Sequence, residues 1–199
     1  MGLCVPLSAT PPDHDGRGRR VEANGDRLDL SQPFSGHALN AVDAKGRVSV
    51  PHSFRQMIER RCRALPNDGT PPPENLLKIG EHKDGKRLQA LDFAAERIFN
   101  QQFRDGVADL PAAERMDALE TATADFFGAF TDCTFDGAGR MVLPPLLRAI
   151  GGIEDLALFW GAGQTIQIWN PVAAFHAFEG NPRNQRVVQF LLKERGVAL

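Results

Sequence analysis

Residues 34–55, FSGHALNAVDAKGRVSVPHSFR, align without a gap to residues 127–148, FGAFTDCTFDGAGRMVLPPLLR, at an offset of 93 positions. Both copies contain the pattern Asp-x-x-Gly-Arg-x-x-x-Pro-x-x-x-Arg. The match resumes between residues 85–92, GKRLQALD, and residues 163–170, GQTIQIWN, at an offset of 78. An internal repeat of this kind predicts two copies of one structural unit in a single chain.

The repeated pattern predicts a β-β-α-β-β unit. In the first copy, a strand leads to Asp43, a tight turn runs from Asp43 to Gly46, and a second strand over residues 47–50 returns as a hairpin. Glycine adopts a positive φ without a Cβ penalty, and an aspartate at the start of a turn accepts local backbone N–H bonds. Pro51 fits the first turn of a helix that extends to about Arg63, because its missing N–H costs nothing there.

A second hairpin is expected to complete each unit. It pairs residues 76–80 with 87–91 in the first copy, and residues 156–160 with 165–169 in the second. The change of offset from 93 to 78 means that the first copy has 15 extra residues between the two matching segments. We assign them to an exposed loop around Pro66–Pro73, because proline and glycine are abundant there.

The composition limits how the chain can bind other molecules. Of its 199 residues, 42% are hydrophobic and 24% are charged, so the chain can bury a core and is not disordered throughout. Its net charge of −2 excludes nucleic-acid binding through bulk positive charge. Charge is uneven, since residues 43–63 have a net charge of +4 and residues 92–125, whose apolar spacing predicts helices, have −5. Contact with phosphate is therefore expected at the first of these segments.

The cysteine, histidine and hydropathy patterns favour a protein without a metal site, a disulfide framework or a membrane span. The three cysteines are far apart, and the five histidines lack the spacing of a zinc site. No apolar stretch approaches the roughly 18–20 residues of a spanning helix, and the N-terminal residues do not have the pattern of an export signal. We therefore expect a cytoplasmic protein with no cofactor.

A hydrolytic site built on the repeated aspartates is a hypothesis that the neighbouring residues disfavour. Two aspartates in paired half-barrels can share a proton, as in aspartic proteases. Here Asp43 is followed by Ala-Lys and Asp136 by Gly-Ala, rather than by a hydroxyl residue and glycine. Each aspartate also has an arginine four positions later, which favours its ionised form. We expect no enzymatic activity.

The duplicated pattern resembles the MraZ family, whose two halves are each related to the SpoVT–AbrB DNA-binding fold. The resemblance covers residues 34 to about 178 and is most specific at residues 43–51 and 136–144. It implies an α+β fold of two tandem β-β-α-β-β swapped-hairpin barrel units, like AbrB, with connecting helices. It further implies a transcriptional regulator that binds direct repeats upstream of the division and cell-wall gene cluster. The implied partners are double-stranded DNA and further copies of the chain in a ring-shaped homo-oligomer, with no membrane and no small-molecule substrate, at the nucleoid in the cytoplasm.

The resemblance and the charge pattern together indicate which residues contact DNA. An arginine beside a hairpin turn can enter a groove or pair with phosphates. The expected DNA-binding residues are Lys45, Arg47, Arg55, Arg140 and Arg148. The expected structural turn residues are Asp43, Gly46, Asp136 and Gly139. Because the second copy has Ala138 where the first has Lys45, we expect the first copy to contribute more to binding.

Structural roles for these residues are open alternatives. Each Asp-Arg pair within a turn could be an ion pair that stabilises the turn. Arg55 and Arg148 could pair with an acid of a neighbouring subunit as readily as contact DNA. Arg60, Arg61 and Arg63 could form only a solvated helix end. For the whole protein, the alternative is a homo-oligomeric assembly protein with the same fold that does not bind DNA.

The expected domain organisation has five parts. They are an N-terminal extension at residues 1–33, a first SpoVT–AbrB-like repeat at 34–105, an acidic helical linker at 106–126, a second repeat at 127–180 and a C-terminal helical tail at 181–199. The extension has no apolar period and is expected to be disordered. A start codon assigned too far upstream is an equal alternative for this segment.

Overall fold

The computed structural model describes residues 32–66 and 71–197. The expected N-terminal extension lies outside the described residues except for its last two, as do residues 67–70 of the proline-rich loop. The described chain contains these elements in order: β1 His37–Ala41, β2 Arg47–Ser49, α1 His52–Arg63, β3 Leu76–Glu81, β4 Leu88–Leu91, α2 Phe93–Gly106, α3 Ala112–Phe127, β5 Thr131–Thr134, β6 Arg140–Val142, α4 Pro145–Gly151, β7 Leu156–Ala162, β8 Thr165–Trp169, α5 Pro171–Ala177 and α6 Pro182–Glu194. Over these residues, no helix combines the length and the hydropathy needed to cross a membrane.

The fold is a mixed α+β arrangement around one antiparallel sheet. Six strands lie in the order β1-β7-β8-β4-β3-β5, and β2 and β6 form a separate two-stranded ribbon. The predicted hairpins β3–β4 and β7–β8 are formed, with Ile79 opposite Ala90 and Phe159 opposite Ile168. These hairpins lie side by side at the centre of the sheet, because β4 of the first repeat pairs with β8 of the second.

The first hairpin of each repeat forms only as a turn. The N–H of Asp43 donates to the Arg47 carbonyl at 3.0 Å, and Val42 bridges Val48, but beyond this point the two strands separate. Strand β1 pairs with β7, β5 with β3, and β2 with β6, so each of these contacts joins one repeat to the other. The predicted pair of tandem swapped-hairpin barrel units is therefore not confirmed. A lone two-stranded hairpin is at best marginally stable in water, whereas these pairings join the strands of both repeats to larger packed structures.

One hydrophobic core unites the two repeats. It contains Val48 and Phe54 from the first repeat and Met141 and Leu147 from the second, all at most 2% exposed. Helices α1 and α4 thus pack on one face of the six-stranded sheet. Strand residues alternate between the two faces, so the other face presents a different set of side chains. On the opposite face, residues of α5 and α6 form a second cluster with residues of β1, β7 and β8.

A buried ion pair connects helix α1 to the start of α2. The side chains of Arg61 and Asp92 are 5% and 0% exposed, and two nitrogens of the guanidinium donate to the two carboxylate oxygens at 2.7 and 3.2 Å. Arg61 Nη1 also donates to the Gln32 carbonyl and to Oε1 of Gln164, each at 3.1 Å. Its guanidinium carbon lies 4.8 Å from the centre of the Phe34 ring. Arg61 therefore belongs to the core and is not part of a solvated helix end.

Candidate nucleic-acid interface

The Asp43–Gly46 turn holds the following arginine in a defined orientation. Oδ1 of Asp43 accepts hydrogen bonds from the backbone N–H of Lys45 at 2.9 Å and of Arg47 at 2.8 Å. The other carboxylate oxygen, Oδ2, lies 2.5 Å from Nε of Arg47. Gly46 has a φ of +77°, and its N–H donates to the Asp43 carbonyl at 2.8 Å. One carboxylate thus orders both the turn and the Arg47 side chain.

The Asp136–Gly139 turn has the same geometry. Oδ1 of Asp136 accepts from the N–H of Ala138 at 3.0 Å and of Arg140 at 2.9 Å, and Oδ2 lies 2.9 Å from Nε of Arg140. Gly139 has a φ of +84°. The shared pattern Asp-x-x-Gly-Arg therefore builds the same local structure twice, with a left-handed glycine at the same place.

The β2–β6 ribbon joins the two turns. Arg47 lies opposite Val142, and Ser49 lies opposite Arg140. These four residues are exposed while the residues between them are buried, so they form one outward surface, which we call the ribbon face. Because the strands are antiparallel, the two turns lie at opposite ends of the ribbon. The Arg47 and Arg140 side chains are 55% and 66% exposed, so each repeat contributes one arginine to the ribbon face.

Both of these arginines keep the outer part of the guanidinium available. Nε of each is held by its aspartate, while the Nη atoms of Arg47 and Arg140 make no hydrogen bond to any described residue. The two Nη groups are the ones that can form a bidentate contact with guanine O6 and N7 or with a phosphate. Because the aspartate already restricts the side chain, less conformational entropy is lost when such a contact forms.

Arg55 and Arg148 lie behind the turns and are half-buried. Arg55, from helix α1 of the first repeat, donates from Nε to the Val50 carbonyl at 3.2 Å and from Nη1 to the Gly137 carbonyl at 3.3 Å, in the turn of the second repeat. Arg148 packs against Gly46 in the turn of the first repeat, where a Cβ would lie 3.1 Å from its Cδ and Nη1. Each arginine thus contacts the turn of the other repeat.

The structure separates the predicted DNA-binding residues into two groups. Lys45, Arg47 and Arg140 are exposed at the ribbon and its turns, whereas Arg55 and Arg148 pack behind the turns. The basic end of helix α1 is smaller than its sequence suggests, because Arg61 is buried and Arg63 pairs with two glutamates, Glu59 and Glu74. The end of α1 therefore offers less free positive charge than its number of arginines suggests, and the available positive charge lies closer to the ribbon.

Sequence reasoning missed Ser49 and Val142 as members of the candidate surface. Alternation along the strand from Arg47 was sufficient to place Ser49 on the same side. Only the pairing of β2 with β6 places Val142 next to Arg47, and that pairing joins residues of different repeats. The ribbon face thus depends on the pairing of β2 with β6.

The two turn aspartates are ionised and lie apart. The pKa of Asp43 and that of Asp136 lie below their ordinary value, chiefly because the backbone N–H of the arginine four positions later donates to the carboxylate, with a further contribution from the guanidinium. Two carboxylates at opposite ends of the ribbon, each with its own arginine, do not share a proton. Burial raises the pKa of the Cys62 thiol to about 12 and that of Cys133 to about 11, so neither is an activated nucleophile at neutral pH.

For Arg47→Ala, we expect the pKa of Asp43 to rise but to stay below its ordinary value of 3.8, because the backbone donor remains. A lowered pKa stabilises the folded turn at pH values above the pKa of the same carboxyl in the unfolded chain. This contribution is lost as the pH falls through the pKa of the carboxyl in the folded protein. A carboxyl-detected NMR titration of the variant measures the change, with Asp136 as the internal control. A full return of Asp43 to 3.8 would show that the guanidinium is the main cause.

Gly139→Ala is expected to lower the free energy of unfolding by about 1–3 kcal/mol, because a left-handed alanine is strained. In addition, a Cβ at Gly139 would lie 2.5 Å from Nε of Arg55 and displace that side chain. Gly137→Ala is the control in the same turn, since a Cβ there meets no atom within 4 Å and its φ is not positive. Urea denaturation of both variants measures the difference, and equal stabilities would contradict the role assigned to Gly139.

Proteins similar to this chain have names that bear on the candidate interface. A family model described as "MraZ protein, putative antitoxin-like" matches residues 126–186. A protein of Ruegeria pomeroyi named "Transcriptional regulator MraZ" is 32% identical over 146 residues, which cover 71% of this chain and 80% of the relative. The chain belongs to the MraZ family. Proteins with the same name are 32% identical over 144 residues in Rhodospirillum rubrum, covering 72% of this chain and 83% of the relative, and 31% identical over 137 residues in Paraburkholderia phytofirmans, covering 69% of this chain and 82% of the relative.

Membership of the MraZ family confirms the resemblance carried by the repeated pattern. The family model matches the second repeat, including the Asp136–Gly139 turn and strand β6. The alignment with the Ruegeria pomeroyi protein is 146 residues long, so the likeness to MraZ relatives extends well beyond that repeat. The duplicated turn is therefore part of a chain that resembles MraZ proteins over most of its length.

Proposed function

We propose that this MraZ chain is a sequence-specific DNA-binding transcriptional regulator and that the ribbon face is its DNA contact. The proposal rests above all on the ribbon face, where one exposed arginine from each repeat is oriented by an aspartate. A two-stranded β-ribbon fits the major groove of B-DNA, and arginine bound bidentately to guanine is the commonest base-specific contact there. The names of the relatives, all transcriptional regulators, also support the proposal.

Lys45 and the two arginines behind the turns complete the proposed site. Lys45 is exposed in the first turn and suits a contact with phosphate. Arg55 and Arg148 keep the turns in place from behind and approach the phosphate backbone only at the edge of the contact. Because position 138 of the second turn is an alanine, the first repeat contributes more to the binding energy.

The fold proposed for this function is a swapped-hairpin architecture formed by two repeats of one chain. The pairing of β1 with β7, of β3 with β5 and of β2 with β6 supports it. The repeats are residues 34–105 and 127–180, joined by an acidic helical linker at 106–126 and followed by a helical tail at 181–199. The acidic segment lies away from the DNA, since its charge would oppose contact with phosphate.

Assembly into a ring accounts for DNA binding by a chain with a net charge of −2. A ring-shaped homo-oligomer repeats the ribbon face at a fixed spacing, so that several weak contacts act together through a high effective concentration. Such an arrangement fits direct repeats in DNA, which we place upstream of the division and cell-wall gene cluster. The protein then acts at the nucleoid in the cytoplasm, without a cofactor or a reaction.

A fluorescence-anisotropy titration tests the proposal directly. The purified protein is titrated into labelled DNA from immediately upstream of its own gene and into a shuffled duplex of the same composition, at several salt concentrations. We expect tighter binding to the native duplex and an affinity that falls log-linearly with salt. Equal, weak binding to both duplexes would contradict the proposal and favour the alternative of an assembly protein that does not bind DNA.

A further inference from the structure

The N-terminal part of helix α3 is largely uncovered by the rest of the described chain, whereas Phe126 near its C-terminal end contacts Phe99 and Phe103 of α2. None of the sixteen residues of Ala112–Phe127 is buried. Met116 is 72% exposed, and with Leu119 it lines a groove of about 300 Å³ between α3 and α2. A helix in a folded protein owes most of its stability to packing of its apolar face. The N-terminal part of α3 therefore lacks the packing that a helix of this length ordinarily has.

Helix α6 exposes an aromatic side chain among basic residues. The helix is held to the sheet by two buried residues of its inner side, Val188 and Leu192, while Phe190 on the outer side is 62% exposed. The basic residues of the outer side, Arg183, Arg186 and Lys193, are exposed as well and follow helical spacing with Phe190. A large aromatic residue so far exposed within a basic stripe is typical of a contact surface.

The two helices have complementary charge. Helix α3 contains four acids and one arginine, a net charge of −3. Helix α6 contains three bases and one acid, a net charge of +2. They belong to different parts of the molecule, since α3 packs on α2, which contacts β3 and β4, whereas α6 packs on α5, which contacts β7. Both surfaces are therefore accessible on one chain at the same time.

We propose that Phe190 on α6 of one copy docks into the α2–α3 groove of the next copy. The groove is larger than a phenyl ring; Met116 and Leu119 are its apolar lining, and Asn100, Arg104, Glu120 and Thr123 are its polar lining. The basic residues of α6 then face Asp117 and Glu120 of α3, which steer the two copies together. Because the two surfaces differ, the contact is heterologous and joins copies head to tail, and it gives a closed ring when the rotation between copies closes. This interface rests on the proposed function, which includes a ring-shaped homo-oligomer, and names the surfaces through which neighbouring copies join.

Charge reversal on each helix tests the interface. Native mass spectrometry and light scattering measure the mass of the full chain, of Arg183→Glu with Arg186→Glu, and of Asp117→Lys with Glu120→Lys. We expect either pair of changes to raise at least tenfold the concentration at which half of the chains are assembled. Lys83→Glu with Lys86→Glu, at two exposed lysines of the β3–β4 turn, is the control with the same change of charge as the α6 pair and is expected to keep the mass of the unchanged chain. Circular dichroism establishes that each variant is folded.

A mixing experiment distinguishes the head-to-tail contact from other contacts. A chain with a reversed α6 and a chain with a reversed α3 repel their own copies but complement each other, so an equimolar mixture is expected to assemble again. Phe190→Ala is a second variant without charge change and is also expected to weaken assembly.

The interface would be overturned if all the variants kept the mass of the unchanged chain, or if assembly were lost only on reversal of α3. Either result would leave a ring possible. An unchanged chain that is monomeric at every concentration would overturn the ring and this interface together, and the anisotropy titration then reports on DNA binding separately.

Discussion

Replacing Arg61 by methionine is expected to lower the free energy of unfolding by about 3–5 kcal/mol, since removal of one partner leaves a buried charge uncompensated. The Asp92 carboxylate is fully buried, and Arg61 binds both of its oxygens. The substitution also removes the donor to Gln32, just before β1, and to Gln164, between β7 and β8. Removal of the Arg61 guanidinium therefore affects contacts with both repeats.

Urea denaturation at a fixed protein concentration measures this effect, because assembly adds stability that depends on concentration. Arg63→Met is the control: it lies two residues further along α1, its side chain is 66% exposed, and its pairs with Glu59 and Glu74 are worth at most about 1 kcal/mol. Combining Arg61→Met with Asp92→Asn is expected to recover part of the loss, since a buried amide costs less than an unpaired carboxylate. If Arg61→Met were no more destabilising than the control, the buried pair would not stabilise the fold.

Arg47→Ala and Arg140→Ala are each expected to weaken binding to the native duplex at least 5-fold, because the loss of one such contact costs about 1–3 kcal/mol, roughly 5- to 150-fold in affinity. Each substitution removes the guanidinium that its aspartate orients on the ribbon face. In a ring the same contact is lost in every copy that touches DNA, so the effect on the whole assembly exceeds that on a single contact. The double variant is expected to bind the native duplex no better than the shuffled one.

Anisotropy titrations over a range of salt concentrations show what each arginine contacts. Loss of a guanine contact reduces the preference for the native duplex, whereas loss of a phosphate contact lowers affinity for both duplexes and reduces the salt slope by about one. Lys83→Ala, at an exposed lysine outside the ribbon, is the control and is expected to bind like the unchanged chain. Lys45→Ala tests the larger contribution of the first repeat. Unchanged affinity in both arginine variants would rule out the ribbon face as the DNA contact.

The sequence alone determined the features that depend on neighbouring residues. The Asp-x-x-Gly-Arg pattern, found twice at an offset of 93, predicted two turns, and both form with a left-handed glycine and an aspartate that accepts backbone N–H bonds. The hairpins β3–β4 and β7–β8 and the helix after Pro51 were predicted for the same reason. Turn chemistry and side-chain periodicity depend on residues that are close in the sequence, so one amino-acid sequence is sufficient to predict these features.

Only the tertiary structure decided how the two repeats combine. Periodicity shows which side of a strand is apolar but not which strand lies beside it, so nothing in residues 47–50 indicated that β2 pairs with β6. The positions of the arginines followed from that pairing: Arg55 reaches the carbonyl of Gly137, 82 positions away, and Arg61 is buried with Asp92. The free energy of burying a residue depends on every segment that packs around it. For this reason arginines of one chain have three different roles: Arg61 forms a core ion pair, Arg55 and Arg148 support the turns, and Arg47 and Arg140 are exposed on the ribbon face.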